Sequence, residues 1–245
     1  MKKLNEFKVL TFDCYGTLID WESGIWDAFQ PLISANGRED IERDAVLRAF
    51  GKAESQQEEE TPAALYPDIL AAVHRRLAGE FNLSSNPELD ATFAASVPHW
   101  PAFADSADAL RYLKSRYRLV ILSNIHRQGF AASNRKLGVE FDAIYTAQDI
   151  GSFKPDHANF DYLLAHLEAQ FGLRSQDVLH TAQSLFHDHV PPRSFGLANA
   201  WIDRQRLSQS GSWGATAQLD KRPDTDYLFY SMGEMARAVR QAFGE

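Results

Sequence analysis

The sequence has a single cysteine, Cys14, in 245 residues. An intramolecular disulfide is therefore impossible, as is a zinc site built on cysteines, and a reducing compartment is the fitting expectation. No stretch approaches the about 18 consecutive apolar residues that a membrane helix requires. The opening M-K-K-L-N-E-F-K has Lys2 and Lys3 without an apolar segment behind them, so the expectation is an unexported, cytoplasmic chain with no membrane partner. Positive charge is also short. Lys and Arg number 25 against 33 Asp and Glu, leaving a net charge of −8, which argues against a nucleic-acid-binding surface. An anionic ligand would have to be drawn by a local positive patch. There is no internal repeat and no low-complexity tract beyond Gln56 to Glu60. What is present is ordinary for a globular protein: 44% apolar residues, in a length that suits one large domain or a domain with an insertion.

The chain is organised around Phe7 to Asp20, F-K-V-L-T-F-D-C-Y-G-T-L-I-D. Val9, Leu10 and Phe12, with Thr11 among them, form the apolar run of a buried parallel strand. The run stops at Asp13. A carboxylate there sits at the carboxyl end of a strand, where open α/β sheets bind ligands, although an aspartate before a turn can equally be a cap. Gly16 lets the chain turn, and Thr17 brings a hydroxyl back to the same point.

From Trp21 to Val97 the periodicity is helical. Trp21 to Gly37 carries Ile25, Trp26, Phe29, Leu32 and Ile33 at helical spacing. Arg38 to Glu60 is strongly charged, with Val46, Leu47 and Phe50 on one face; its charge runs read as solvated faces. Thr61-Pro62 marks a break, Ala63 to Phe81 a third helix, and Leu89 to Val97 a fourth. No strand is expected between Asp20 and Pro98.

From Pro98 onward helices and strands alternate, the signature of a parallel sheet. Strands are expected at Leu119 to Leu122, Ala143 to Ala147, Val178 to Ala182, Asn199 to Ile202 and Tyr227 to Tyr230. Helices are expected at Asp105 to Arg116, His126 to Leu137, Ala158 to Phe171 and Met232 to Phe243, with a short one from Pro191 to Phe195. Ser208 to Gln218 reads as a polar surface loop. Polar residues then stand at four strand ends: Asp13, Ser123-Asn124, Lys154 in the loop after a strand, and Asp188. In a parallel sheet these ends share one edge, so residues far apart in sequence can converge. Singly, each has a bland reading as a turn, a surface lysine or a cap.

The motif F-D-x-Y-G-T-L and the ordered set Asp13, Ser123, Lys154 and Asp188 resemble the haloacid dehalogenase superfamily, and Tyr15, two residues after the aspartate, resembles its type II 2-haloacid dehalogenase branch. Phosphatase branches usually carry a second acid at that position. The resemblance implies an α/β fold: a Rossmann-like core with a parallel sheet flanked by helices, over 1–20 and 98–245, and an inserted helical cap domain over 21–97. It implies a hydrolase needing no cofactor and no metal, acting on a small anionic 2-haloalkanoate through an aspartyl ester to give a 2-hydroxy acid. Asp13 would be the nucleophile, with Lys154 keeping it ionised. Thr17 and Ser123 would orient its oxygens, and Asp188 would position the hydrolytic water.

Tyr15, Asn124, Ser184, His187 and Trp21 would line the substrate pocket, with Tyr66 as a further wall from the cap. Asn124 would donate to the leaving halide. A cap arginine is implied as well; Arg48 is the nearest candidate, with Arg43, Arg75 and Arg76 as alternatives. Relatives of this branch are often dimers, and the apolar helices are compatible with a homodimer. The chain departs from the branch at Gln183 and Leu185, where a Ser and an Asn are common, at Phe160, where a Tyr is expected, and at His187, where an apolar aromatic is expected. Gln183 and Ser184 would still be expected to hold Lys154, and His189 to be structural. The rivals are a magnesium-dependent phosphatase of the same superfamily and a catalytically silent binding protein.

Overall fold

The apolar run at the start of the chain forms β1 (Val9–Phe12), the central strand of the fold, in a computed structural model that describes residues 2–209, 211, 219 and 221–245. Four helices follow: α1 (Trp21–Asn36), α2 (Arg43–Glu60), α3 (Tyr66–Glu80) and α4 (Pro87–Ala94). The chain then alternates through α5 (Ser106–Lys114), β2 (Arg118–Ser123), α6 (Arg127–Leu137), β3 (Ala143–Thr146), α7 (Ala147–Ile150) and α8 (Ala158–Phe171). It ends with β4 (Val178–Ala182), α9 (Leu185–Asp188), β5 (Ala198–Ile202), β6 (Tyr227–Phe229) and α10 (Met232–Ala242). The strands make one six-stranded sheet in the order β3-β2-β1-β4-β5-β6, and every pairing is parallel.

That order places a topological switch beside β1. The chain leaves β1 toward β2 and β3 on one side, then returns to build β4, β5 and β6 on the other. Phe12 pairs with Ile121 of β2 and with Thr181 of β4. The crevice beyond Phe12 is therefore bounded by the carboxyl ends of three strands, the place where open α/β sheets take ligands.

Side chains alternate between two cores. Leu10 and Phe12 of β1, with Leu119 and Ile121 of β2, join the larger cluster. Val9, Val120 and Leu122 face the other way, onto Phe160, Leu163 and Leu167 of α8. Both faces are covered, which is why these strands read as nearly unbroken apolar runs.

The helices α1–α4 form the inserted block. Asp20 caps α1 by accepting from the Ser23 amide at 3.1 Å, and Gly37 ends that helix in the left-handed region. Phe93 of α4 packs with its ring centroid 6.3 Å from that of Phe29 (α1) and 6.4 Å from that of Phe50 (α2). Two starts differ from expectation. The third helix begins at Tyr66 rather than Ala63, because Pro67 fits only the first turn, where its missing N–H is not needed. The fourth begins at Pro87, capped by Asn86, rather than at Leu89. The single-turn helices α7 and α9 carry no periodicity long enough to read. The charged α2 is not solvated throughout, for Gln57 and Glu58 are buried. Of the loop expected over Ser208 to Gln218, residues 210 and 212–218 lie outside the described residues. No helix among the described residues is long and apolar enough to cross a membrane.

Gly24 is where α1 meets the rest of the molecule most closely. A Cβ built there would lie 2.3 Å from ring atoms of the buried Trp100. Gly24→Ala is expected to cost about 1–3 kcal/mol through overpacking. At this chain size that lowers the thermal midpoint by about 2–4 °C per kcal/mol, readable by circular dichroism. An unchanged midpoint would mean that Trp100 yields at no cost.

Candidate active site

Asp13 follows directly on β1, and its amide donates to the Thr181 carbonyl at 3.1 Å. Gly16 turns the chain back with φ of +91°, a conformation side chains resist; a Cβ there would also meet Gln183 Oε1 at 2.9 Å. The turn delivers Thr17, whose hydroxyl donates to Asp13 Oδ2 at 2.8 Å. The Gln183 backbone N–H in turn donates to Thr17 Oγ1 at 2.9 Å. An incoming donor on that oxygen leaves its hydrogen free to point at the carboxylate.

Lys154 lies in the loop between α7 and α8, and 1% of it is exposed. Its ammonium has three hydrogens, and all three are used. They go to Asp13 Oδ1 at 3.0 Å, Asp188 Oδ1 at 2.6 Å and the Leu122 carbonyl at 3.1 Å. Asn124 fixes the lysine's backbone. It accepts from the Lys154 amide at 2.7 Å and donates to the Lys154 carbonyl at 3.0 Å.

The two carboxylates differ electrostatically. Burial pushes both upward. For Asp188 this is outweighed by Lys154 and by a 3.0 Å contact with His180 Nε2, so its pKa falls well below the usual carboxylate range. His180 is held at its other nitrogen, 2.8 Å from Thr11 Oγ1. Asp13 has the longer contact with the lysine. Burial, aided by the charge of Asp188, prevails over Lys154 and Thr17, and its pKa is raised. Asp188 Oδ2 and Ser123 Oγ are buried without a partner among the described residues.

These groups open on a cavity of about 60 Å³. From the sheet edge it is lined by Asp13, Ser123, Asn124, Lys154 and Asp188, with Ser184 and His187 from the start of α9 and Tyr15 from the first turn. Trp21 of α1, Glu54 and Glu58 of α2 and Tyr66 of α3 close the opposite side. The sequence-expected residues thus converge, with one exception. Arg48 is exposed on α2 and does not line the cavity. Glu54 and Glu58 follow it by six and ten positions, which at 3.6 residues per turn puts them on another face of the helix. None of Arg43, Arg75 and Arg76 lines the cavity either.

Three further expectations are corrected. Ser123 makes no hydrogen bond to Asp13, which is oriented by Thr17 alone among hydroxyls. Gln183 and Ser184 do not hold Lys154, whose donors are already spent. The Gln183 side chain instead donates from Nε2 to Gln205 Oε1 at 2.9 Å, and Ser184 caps α9 by accepting from the His187 backbone N–H at 3.2 Å. Asn124 is not a free donor, because its second amide hydrogen meets Glu58 Oε2 at 3.4 Å.

His187 lines the cavity beside Ser184 Oγ, 3.0 Å from its Nδ1, and enclosure lowers its pKa to about 4, so it is neutral near pH 7. His189, bonded to the Ala182 carbonyl at 3.0 Å, is buried away from the cavity. Tyr15 turns its hydroxyl to Ser133, 2.9 Å away, and its ring stands nearly perpendicular to that of Trp100. The sequence reading missed His180, Glu54 and Glu58. A histidine inside the apolar run V-L-H-T-A was a usable signal; the two glutamates, in a run rich in acids, offered none.

A buried lysine bridging two acids at a sheet switch point, faced by a block of helices, defines a candidate active site of the doubly wound α/β class. Comparison with known proteins narrows this. Residues 7–180 match the family described as haloacid dehalogenase-like hydrolase, and the chain belongs to that family. It is 27% identical to an (S)-2-haloacid dehalogenase of Pseudomonas putida over 93% of its length and 94% of the relative's. It is 28% identical to another from Pseudomonas fluorescens, over 92% and 93%. In fold it is similar to the L-2-haloacid dehalogenase of Xanthobacter autotrophicus with chloropropionic acid covalently bound, with TM-score 0.77 and 18% identity over 96% of this chain and 98% of that one. A magnesium-bound HAD-hydrolase of Bacillus subtilis shares the fold at TM-score 0.75 and 16% identity, over 98% and 100%.

Proposed function

We propose that this hydrolase cleaves the carbon–halogen bond of short 2-haloalkanoic acids to give 2-hydroxy acids. The observation that carries the reading is the buried lysine shared by Asp13 and Asp188, with Thr17 fixing Asp13. Displacement at carbon needs a carboxylate held in one orientation and shielded from water. In the first half-reaction an Asp13 oxygen bonds to the substrate carbon as the halide departs with the electron pair. In the second, water attacks the Asp13 ester carbonyl, releasing the hydroxy acid, and Asp188, with Oδ2 unengaged, orients that water. Ser123, also unengaged, is available to the substrate carboxylate. A cavity of about 60 Å³ suits a substrate of two or three carbons. Residues 21–97 act as the cap that closes over it, and 1–20 with 98–245 as the catalytic core.

Two runners-up are weaker. Magnesium does not fit the donor set: the Lys154 ammonium already sits between Asp13 and Asp188, bonded to one oxygen of each, Tyr15 stands where a second acid would be needed, and no cluster of three or more His, Cys, Asp or Glu among the described residues suits a metal. A silent binding protein would have no need of a buried lysine between two acids.

A single turnover in heavy-oxygen water containing EDTA tests the reading. The expected result is full halide release, with the label in the Asp13 carboxylate before it reaches later product. Label entering the first product directly would mean that water attacks the substrate itself. Activity lost to EDTA and restored by magnesium would favour the phosphatase.

A further inference from the structure

A halide leaving carbon acquires a full negative charge, and the site must present donors where that charge appears. The expected arginine does not line the cavity. Lys154 has no hydrogen to spare, and both amide hydrogens of Asn124 are engaged. Tyr66 donates to Glu54, and the Tyr15 hydroxyl faces Ser133. Trp21, Glu54, Glu58 and Tyr66 face the cavity from the cap, and of the two acids it is Glu58 that is bonded, among the described residues, only by Asn124, across the cavity from α2.

We propose that Glu58, in its protonated form, is the hydrogen-bond donor that receives the departing halide. This rests on the haloacid reading above and deepens it. The unpartnered Ser123 hydroxyl, 2% exposed, lines the same cavity and marks it as a ligand site independently of the acids. Position supports the role: Glu58, Lys154 and His187 line both this cavity and a second space of about 360 Å³ bordered by Phe153 and Phe186. Glu58 thus stands at the partition a released ion would pass. The step balances without proton transfer. The carbon–halogen bond breaks, its electron pair leaves with the halide, the halide accepts the Glu58 hydrogen bond, and the proton stays on Glu58. The proton produced by ester hydrolysis goes to water.

The environment favours the protonated form. Burial raises the Glu58 pKa well above that of an ordinary glutamate and the neighbouring Glu54 adds to this, outweighing Lys154 and Asn124; burial likewise brings Glu54 to about 7 despite its Tyr66 hydrogen bond. Facing Glu58 are Glu54 from α2, Tyr66 from α3, Lys154 from its loop and neutral His187 from α9. Asp13, Tyr15 and Asp188 lie across the cavity, and Glu59 and Asp156 border the second space. The sign follows: a halide binds the protonated carboxyl and is repelled by the carboxylate, so binding takes up a proton and weakens as pH rises.

Chloride binding to the intact protein, read by chlorine NMR line broadening across pH, tests this without turnover. Wild-type affinity should fall by up to about tenfold per pH unit above the Glu58 pKa. Glu58→Gln keeps a donor but cannot ionise, so it should bind chloride within about threefold of the low-pH wild type and lose the pH dependence. Glu58→Ala should lose at least about tenfold at low pH, the worth of a charge-assisted hydrogen bond. Circular dichroism melts confirm that each variant folds. A pH-independent wild type, a Glu58→Gln profile that tracks the wild type, or loss of binding only in His187→Phe would overturn the proposal. Halide binding of the expected form in a protein that hydrolyses no 2-haloacid would instead overturn the haloacid reading alone.

Discussion

Replacing Asp13 with asparagine should reduce turnover by on the order of 10⁴-fold or more while leaving the fold in place. The amide is a poor nucleophile, so the covalent step is lost. The local structure tolerates the change. An Asn oxygen can still accept from Lys154, and its NH₂ group can donate to the Thr17 hydroxyl once that hydroxyl turns, because Thr17 Oγ1 has a lone pair beyond the one used by the Gln183 amide. The thermal midpoint should therefore shift by only a few degrees. Halide release under steady state and a circular dichroism melt measure the two quantities. Turnover above about one percent of wild type would show that Asp13 is not the nucleophile, since removing a nucleophile costs far more than that.

Lys154→Met should be the most destabilising single substitution in the site, by about 3–5 kcal/mol, because it leaves two buried carboxylates facing each other unpaired. Its turnover should fall by about 10²–10³-fold, the cost of losing one preorganised donor. The pH dependence gives the cause away. In the wild type, Asp188 has a folded pKa below its unfolded one. Its contribution to stability is therefore present above about pH 4 and is lost as pH falls through the folded value. Lys154, raised in the fold by the two acids despite its burial, contributes below about pH 10, and that contribution is lost as pH rises through its folded value. Without Lys154 both carboxylates titrate upward. The variant should then recover stability relative to wild type as pH falls from 7 toward about 5, where protonation relieves the repulsion. Chemical denaturation across that range checks this. A deficit constant with pH would mean that packing around the lysine stem, not its charge, is what the site loses.

Much of this was legible in the chain. The apolar run ending at Asp13 and the alternation after Pro98 carried the sheet, because a strand buried on both faces must be apolar throughout and parallel neighbours need helical crossovers. The order of Asp13, Ser123, Lys154 and Asp188 carried the core side of the site, because strand ends share an edge. The cap side did not follow. Whether a residue of α2 faces the cavity depends on the rotation of that helix about its axis. Its mean apolarity is low, and acids occur around most of its circumference, so periodicity set that rotation too loosely to tell Arg48 from Glu58.

The sequence by itself determined where the strands end, which polar groups stand at those ends, and that a helical block separates the first strand from the rest. These depend on local hydrophobic periodicity and turn chemistry, which act over a few residues. Only the tertiary structure decided how the lysine's three hydrogens are shared, why Asp188 is held lower in pKa than Asp13, and that two glutamates rather than an arginine close the pocket. The physical reason is that hydrogen-bond partnership and desolvation are set by distances of a few ångströms between groups far apart in the chain, 141 positions in the case of Asp13 and Lys154.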